Sequence, residues 1–313
     1  MRKFLRRCFR WAGWWLSAGA VERWNGNEGI RKFAKDLAAK DRNTPHLESI
    51  RVHTWLSKEF EAIAFEDRLL EDQLQKYGPL FVAKHNAHMF SQTYEDAAIA
   101  EIFSRIGTTS RTFIEIGTGD GSENTTRLLL LLGWKGLWIE GDGAQCEIAN
   151  RDFRREISTG QLQIINATAT PDAIQRLIDS AGLGPDVDLL SVDIDMHTSH
   201  LFRAVRTPSR VACVEYNAHV PPTIDYEVPY RPGDVWDGSN WFGASLKTLE
   251  IIGAAKGMSL VGCDLMGVNA YFVDRSLVGD LFPKPFSAEY HFQPARYQLV
   301  RGQRGHSRRR PPN

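Results

Sequence analysis

The chain has 313 residues, enough for one large or two modest domains, and its 42% apolar and 24% charged content is ordinary for a globular protein. Net charge is zero but unevenly placed: Arg2, Lys3, Arg6, Arg7 and Arg10 stand at one end, and Arg301, Arg304, Arg308, Arg309 and Arg310 at the other. Removing these ten charges leaves the body at minus ten, which argues against a nucleic-acid-binding face on the core.

The basic start runs into an apolar, tryptophan-rich stretch over residues 9–21. It falls short of the roughly 20 residues a bilayer span needs. Mixed Trp and Arg suit a helix lying on an anionic membrane surface, so residues 1–22 are a candidate for peripheral contact at the inner membrane face. The same stretch also reads as a signal peptide, with small residues at 17–20, or as a helix packed on its own domain. The four cysteines, Cys8, Cys146, Cys213 and Cys263, form no Cys-x-x-Cys pair, which points to a reducing, cytoplasmic setting.

Residues 1–80 read as a helical extension, with Leu56, Phe60, Ile63, Ala64, Leu69 and Leu70 at helical spacing. Thr93-Tyr94-Glu95-Asp96 fits a capping box. Ile99, Ile102, Phe103 and Ile106 follow on one helix face, and Gly107 ends it. Strand-like runs then start near 112, 137, 162, 187 and 211, a spacing of about 25 residues that matches a strand, loop and helix repeated in series. A helix is predicted over 123–132, and another from Thr170-Pro171 through Ile178, with a threonine cap and a first-turn proline. An irregular stretch fills 218–242, a helix covers about 244–256, and strands at 258–264 and 269–274 must pair antiparallel across Met266-Gly267. The predicted fold is α/β, a mostly parallel sheet with an antiparallel end. Residues 88–276 form the main domain, and 277–313 a C-terminal extension with a disordered Arg-rich tail.

The most specific motif lies at 112–121, Thr-Phe-Ile-Glu-Ile-Gly-Thr-Gly-Asp-Gly. A strand ends on a tight glycine turn (Gly117, Gly119, Gly121, with Thr118 and Asp120 between), the layout of a nucleotide-type pocket at the carboxyl end of a parallel sheet. The spacing is not G-x-G-x-x-G, and no lysine follows as a P-loop requires. An acid two residues before the first glycine, Glu115, repels a pyrophosphate but suits an ammonium group. That selects S-adenosylmethionine (SAM). A second strand ends in Glu140, placed to accept hydrogen bonds from a ribose diol.

Taken in order, several segments make residues 90–275 resemble class I SAM-dependent methyltransferases of the FkbM-related branch. They are 90–96, the run 113–125, Gly133-Trp134-Lys135-Gly136 through Glu140, 188–195, Val214-Glu215-Tyr216-Asn217 and 243–247. The resemblance implies a Rossmann-like, seven-stranded sheet with its last strand antiparallel and SAM over the first two strand ends. It also implies O-methylation of a sugar, polysaccharide or hydroxylated metabolite, with a small-molecule or glycan acceptor and no nucleic acid. An acid usually follows the third strand on the adenine side; here Asn166-Ala167 stand there, and Asn166 would serve adenine as a neutral amide.

A sugar hydroxyl needs a base or a metal to lower its pKa. Asp193 and Asp195 end the fourth strand, Glu215 and Asn217 the fifth, and residues i and i+2 of a strand share a face. Converging there, they make an oxygen-rich group suited to Mg²⁺ or Ca²⁺. Asp195 serves equally as a helix cap, and Glu215 as a direct SAM or substrate contact. His197 and His219 are the candidate bases, with Asp195 beside them. The loop at 219–243 carries Pro221, Pro222, Tyr226, Tyr230, Trp236 and Trp241, suited to stacking on a sugar ring or to an apolar lid. The competing functional readings are a NAD-dependent oxidoreductase and a non-catalytic methyltransferase-like scaffold at a membrane.

Overall fold

In the computed structural model, residues 45–299 are described, apart from Asn86 and His88. The segment predicted for membrane contact, 1–22, and the Arg-rich tail from residue 300 lie outside the described residues. The chain divides into two units, Met1–Arg68 and Leu69–Asn313. The described part of the first is helical, the opening of a helix that spans Pro45–Tyr77. Among the described residues no helix is long and apolar enough to cross a membrane.

The second unit is built on seven strands: β1 (Thr112–Ile116), β2 (Lys135–Glu140), β3 (Leu162–Asn166), β4 (Val187–Val192), β5 (Ser209–Glu215), β6 (Met258–Cys263) and β7 (Asn269–Asp274). Their order across the sheet is β3-β2-β1-β4-β5-β7-β6. Strands β1 to β5 pair in parallel, while β7 runs antiparallel to both its neighbours, β5 and β6. This is the sheet that the resemblance to class I methyltransferases implies, with the reversed strand placed between β5 and β6.

Register sets the site. Ile116 lies opposite both Ile139 and Val192, Glu140 opposite Asn166, and Val192 opposite Val214. The carboxyl ends of β1, β2, β4 and β5 therefore finish level, and the turns beyond them share one edge. Strand alternation sends Ile114 and Ile116 into one apolar layer with Ile139, Val192, Phe202 and Leu249. Phe113 enters the opposite layer with Trp138, Leu189, Phe103 and Phe153. Both faces are thus covered, as a parallel sheet requires. The stretch from 277 belongs to these layers too: Val278 and Phe282 join the second, and Ala288 the first.

Three local expectations need correction. The helix Glu95–Ile106 is not opened by a Thr93–Asp96 box. Ser91 Oγ accepts from the Asp96 N–H, and Asp96 Oδ2 accepts from the N–H groups of Met89, Phe90 and Ser91. The reciprocal pair therefore keeps Asp96 but begins at Ser91, two residues ahead of the motif's Thr93. The helix predicted over 123–132 is confined to Arg127–Leu131, because residues 124–126 are held by Glu115 instead. The helix after Thr170-Pro171 starts only at Ile174 and has no side-chain cap. The Thr170 carbonyl accepts from the N–H of both Ala173 and Ile174, so 170–173 form a turn that precedes the helix. Ser245 does cap the helix Leu246–Ala255, its hydroxyl accepting from the Thr248 N–H.

Candidate functional site

The glycine turn after β1 is shaped by contacts that leave no room for side chains. Gly117 has φ +86°, and a Cβ there would lie 1.7 Å from the Asp193 carbonyl oxygen. Gly121, at φ +74°, abuts the rings of Trp138 and Phe153. Gly119, at φ +55°, differs: a Cβ there would meet nothing within 4 Å, so its bare backbone faces open space. The first and third glycines thus serve packing, and the second leaves its backbone open.

Glu115 is 3% exposed and turns into its own loop. Its oxygens accept from Asn124 Nδ2 (2.8 Å), the Thr125 N–H (2.8 Å), the Thr126 N–H (3.0 Å) and Thr126 Oγ1 (2.5 Å). Thr126 Oγ1 also accepts from Trp138 Nε1 on β2. Burial pushes the Glu115 carboxyl up to about 7, against the pull of these hydrogen bonds. The acid read as an ammonium partner is, in this geometry, the post that holds the loop.

Glu140 closes the same turn from the second strand. Its Oε2 accepts from the Gly119 N–H at 2.7 Å and its Oε1 from the Asp142 N–H at 2.8 Å. Asp142 in turn caps the helix Gly143–Asp152 through the N–H groups of Ala144 and Gln145. Between these parts opens a cleft of about 490 Å³, within the range of small-molecule sites. It is lined by Gly117, Thr118, Gly119 and Asp120 from the turn and by Glu140 from β2. Gln92, Glu123, Asp142 and Gln145 complete the lining, and none of these four is marked by the glycine motif. Gln92 arrives because the Asp96 clamp lays residues 89–91 along this edge. Thr118 is 3% exposed, and its hydroxyl has no hydrogen-bond partner among the described residues. Asn166 is exposed at the end of β3, giving Nδ2 to the Glu140 carbonyl, and the Ala167 N–H donates to the same oxygen.

Beyond β4 and β5 the structure brings Asp193, Asp195 and Glu215 together, with one carboxylate oxygen of each within 4.8 Å of the others. They do not meet through strand alternation. β4 stops at Val192, and Asp195 takes φ +59° to open a single turn, Asp195–His197. Burial, and then the neighbouring Asp195, push Asp193 up to about 7. Burial, then Asp193 and Asp195, hold the Glu215 carboxyl well above the usual range. Thr198 Oγ1 donates to Glu215 at 3.3 Å.

Asn217 and His197 are used differently. Asn217 is 1% exposed and gives Nδ2 to the carbonyls of Asn240 and Phe242, while its Oδ1 accepts from the His219 N–H. It ties the two stems of the 219–243 loop together. His197 is 8% exposed beneath that loop; its Nε2 accepts from the Arg231 N–H at 3.4 Å, and its ring meets Tyr230 at 4.9 Å. Burial, and then His200 nearby, lowers its pKa. His219 is exposed, its ring edge-on to Tyr297 at 5.4 Å. Of the two histidines, only His219 is open to an incoming molecule.

No protein-family model matches this chain, and no curated protein matches it. Among solved structures it is similar to a S-adenosylmethionine-dependent methyltransferase from Clostridium acetobutylicum ATCC 824, at 12% identity over 56% of this chain and 88% of that one, TM-score 0.36. It is likewise similar to a SAM-dependent methyltransferase from Aquifex aeolicus (12% identity, 56% and 89%, TM-score 0.33). A third is the N-terminal domain of EvdMO1, solved with SAH and D-fucose (14% identity, 57% and 81%, TM-score 0.38). These values assign no chemistry to this chain.

Proposed function

We propose that this protein is a SAM-dependent methyltransferase acting on a hydroxyl of a sugar, polysaccharide or hydroxylated secondary metabolite. One observation carries the reading. The glycine turn is locked by Glu140 and by buried Glu115, and it lays the open Gly119 backbone along a cleft that no lysine or arginine among the described residues lines. Dinucleotide phosphates would face Asp120, Glu123, Glu140 and Asp142 there, which disfavours the oxidoreductase reading.

In this proposal Glu140 receives the ribose hydroxyls on lone pairs left beside its two backbone donors, and Asn166 and Ala167 border the adenine. The Thr118 hydroxyl and the Gln92 amide serve the amino-acid end. When bound, SAM supplies an electrophilic methyl group on a sulfonium. The chain's part is to align the acceptor and exclude water, which the 219–243 loop is placed to do. Asp193, Asp195 and Glu215 offer hard oxygen donors that fit Mg²⁺ or Ca²⁺, and an ion held there would lower the pKa of the acceptor hydroxyl. In a metal-free enzyme, exposed His219 takes the proton. The segment 1–22 would hold the protein at an anionic, cytoplasmic membrane surface near such acceptors.

Calorimetry with SAM and with NAD tests the class: SAM should bind and NAD should not, and the opposite result removes the proposal. Transfer from methyl-labelled SAM to a panel of glycans and hydroxylated metabolites tests the activity; binding without transfer favours the scaffold reading. Excess chelator then separates the metal-assisted route from the His219 route. If activity vanishes and returns with Mg²⁺, the carboxylates hold an ion; if it persists, His219→Ala should lower turnover by about 10²–10⁴-fold.

A further inference from the structure

The last described residues stand at the foot of the 219–243 loop. Tyr297 opens the single turn Tyr297–Leu299 and packs against a small apolar cluster of Met196, Val228 and Phe242. Its hydroxyl accepts from the Ala218 N–H at 3.4 Å, and its ring meets His219 edge-on at 5.4 Å. Arg296 fixes the other side: its N–H donates to the Met266 carbonyl and its Nη1 to the Leu265 carbonyl. Val228 and Phe242 belong to the loop, so the segment that follows Leu299 is tethered to it. That segment, 301–313, carries Arg301, Arg304, Arg308, Arg309 and Arg310, with no lysine and no acid.

The loop offers what arginine binds. Glu227 is paired with Arg203 at 3.0 Å, but Asp225, Asp234 and Asp237 are exposed and join no ion pair among the described residues. Arg231 is the one lysine or arginine within 219–243, so three open acids stand against one base. Between the acids lies aromatic surface: Trp236 is 42% exposed and Trp241 55%. The Trp236 N–H already donates to the Ser239 carbonyl at 2.6 Å, so its indole presents ring rather than a free donor. Asp237, the next residue, is held in the same turn by the Ser239 N–H. A guanidinium stacks on an indole and forks onto a carboxylate, which a lysine ammonium does less well.

We infer that residues 301–310 lie across 231–241 of the same chain, as a strap over the open side of His219. Length permits it: at roughly 3.3 Å per residue, Arg301 reaches about 7 Å from Leu299 and Arg310 about 36 Å. Trp236 touches the cluster that holds Tyr297 through Phe242, with ring centroids 5.8 Å apart. Charge holds the strap, so salt loosens it. Resting on the methyltransferase reading, the strap competes with the acceptor and spares the cleft at the glycine turn, which none of these loop residues lines.

Rapid-mixing hydrogen–deuterium exchange on the full chain tests the docking without a ligand. The comparison is a full-length variant with all five tail arginines replaced by Gln. At about 20 mM NaCl the wild-type amides of 231–241 should exchange about threefold or more slowly than the variant's, and at about 500 mM the two should agree. Peptides from β1 and β4 should match throughout. Asp234→Asn with Asp237→Asn should lose the same protection. Asp234→Arg with Asp237→Arg should regain it when the five tail arginines are replaced by Glu, which a change of fold would not do. Equal exchange at low salt overturns the inference. Protection that rises with protein concentration overturns it too, because the occupant is then a second copy. In a transfer assay at low salt the Gln variant should show an acceptor KM about threefold lower with SAM affinity unchanged, and an unchanged KM overturns the competition. If no acceptor is methylated, the methyltransferase reading fails, while exchange still decides the docking by itself.

Discussion

The backbone N–H of Gly119 points at Glu140 Oε2, 2.7 Å away, so the acid at the tip of the second strand fastens the glycine turn of the first. The residue predicted to meet the ribose is therefore also a structural member of the loop over which SAM would lie. Its other oxygen is occupied by the Asp142 N–H. Glutamine at 140 keeps one acceptor oxygen and offers an amide NH₂ where the second acceptor stood. Glu140→Gln should weaken SAM binding by about 1.5–3 kcal/mol, the range for hydrogen bonds to a charged group. Calorimetry reads it, and unchanged affinity would remove Glu140 from the site.

The glycines separate stability from binding. Gly117→Ala drives a methyl into the Asp193 carbonyl at positive φ, so the variant should lose several kcal/mol or fail to fold. Gly119→Ala meets no protein atom within 4 Å and should cost only about 1–2 kcal/mol, for the left-handed backbone. Its methyl instead occupies the cleft, so SAM affinity should fall far more than the melting temperature. Equal behaviour of the two variants would mean that the cleft is not the ligand site.

Asn217→Ala should leave the carbonyls of Asn240 and Phe242 without their side-chain donor, at about 1–3 kcal/mol. Limited proteolysis should then cut within 219–243 sooner, and transfer to the acceptor should slow. SAM affinity should hold, because Asn217 does not line the cleft. A loss of SAM binding as large as the loss of turnover would contradict this division of labour.

Buried acids set a pH dependence. Glu115 and Asp264 are both raised to about 7 by burial, from ordinary values of 4.5 and 3.8. Between those limits the folded state binds more protons than the unfolded chain, so each group's contribution to stability falls as pH rises to about 7 and is level above it. His291, lowered to about 4 by burial, works in the opposite sense over part of the range. The clean measurement is therefore a comparison. The urea midpoint of Glu115→Gln should depend less steeply on pH between about 4.5 and about 7 than that of the wild type. An unchanged dependence would show that Glu115 is ionised throughout in the folded protein.

The sheet was readable from the sequence because each βα repeat leaves a periodic signature: predicted strand starts at 112, 162 and 187 coincide with β1, β3 and β4. Gly117, Gly119 and Glu140 were also readable, since a strand-end glycine turn and a strand-tip acid depend only on local order. Directions were not. Nothing in Glu115 shows that it faces Thr125 and Thr126; that follows from a loop ten residues on. Asp193 and Asp195 were expected to meet by strand alternation and instead meet through a turn, because β4 stops first. His197 was read as a base, but the same turn carries it under Tyr230. Gln92 was missed because it comes from upstream of the helix before β1. Its signal lay in Ser91 and Asp96, which brace one another at the helix start.

The 219–243 loop has fixed stems. Asn217 grips Asn240 and Phe242, His200 faces the Val228 carbonyl, and Ser199 and Arg203 hold Glu227. Between those grips, residues 231–241 are exposed and Val235, Trp236 and Trp241 project from the surface. Such a segment is built as a replaceable cassette: its composition can drift, or be exchanged by design, while the frame that receives it and the cleft at the glycine turn keep their shape. In the proposed enzyme, a change of acceptor would then cost a few loop residues and none of the core.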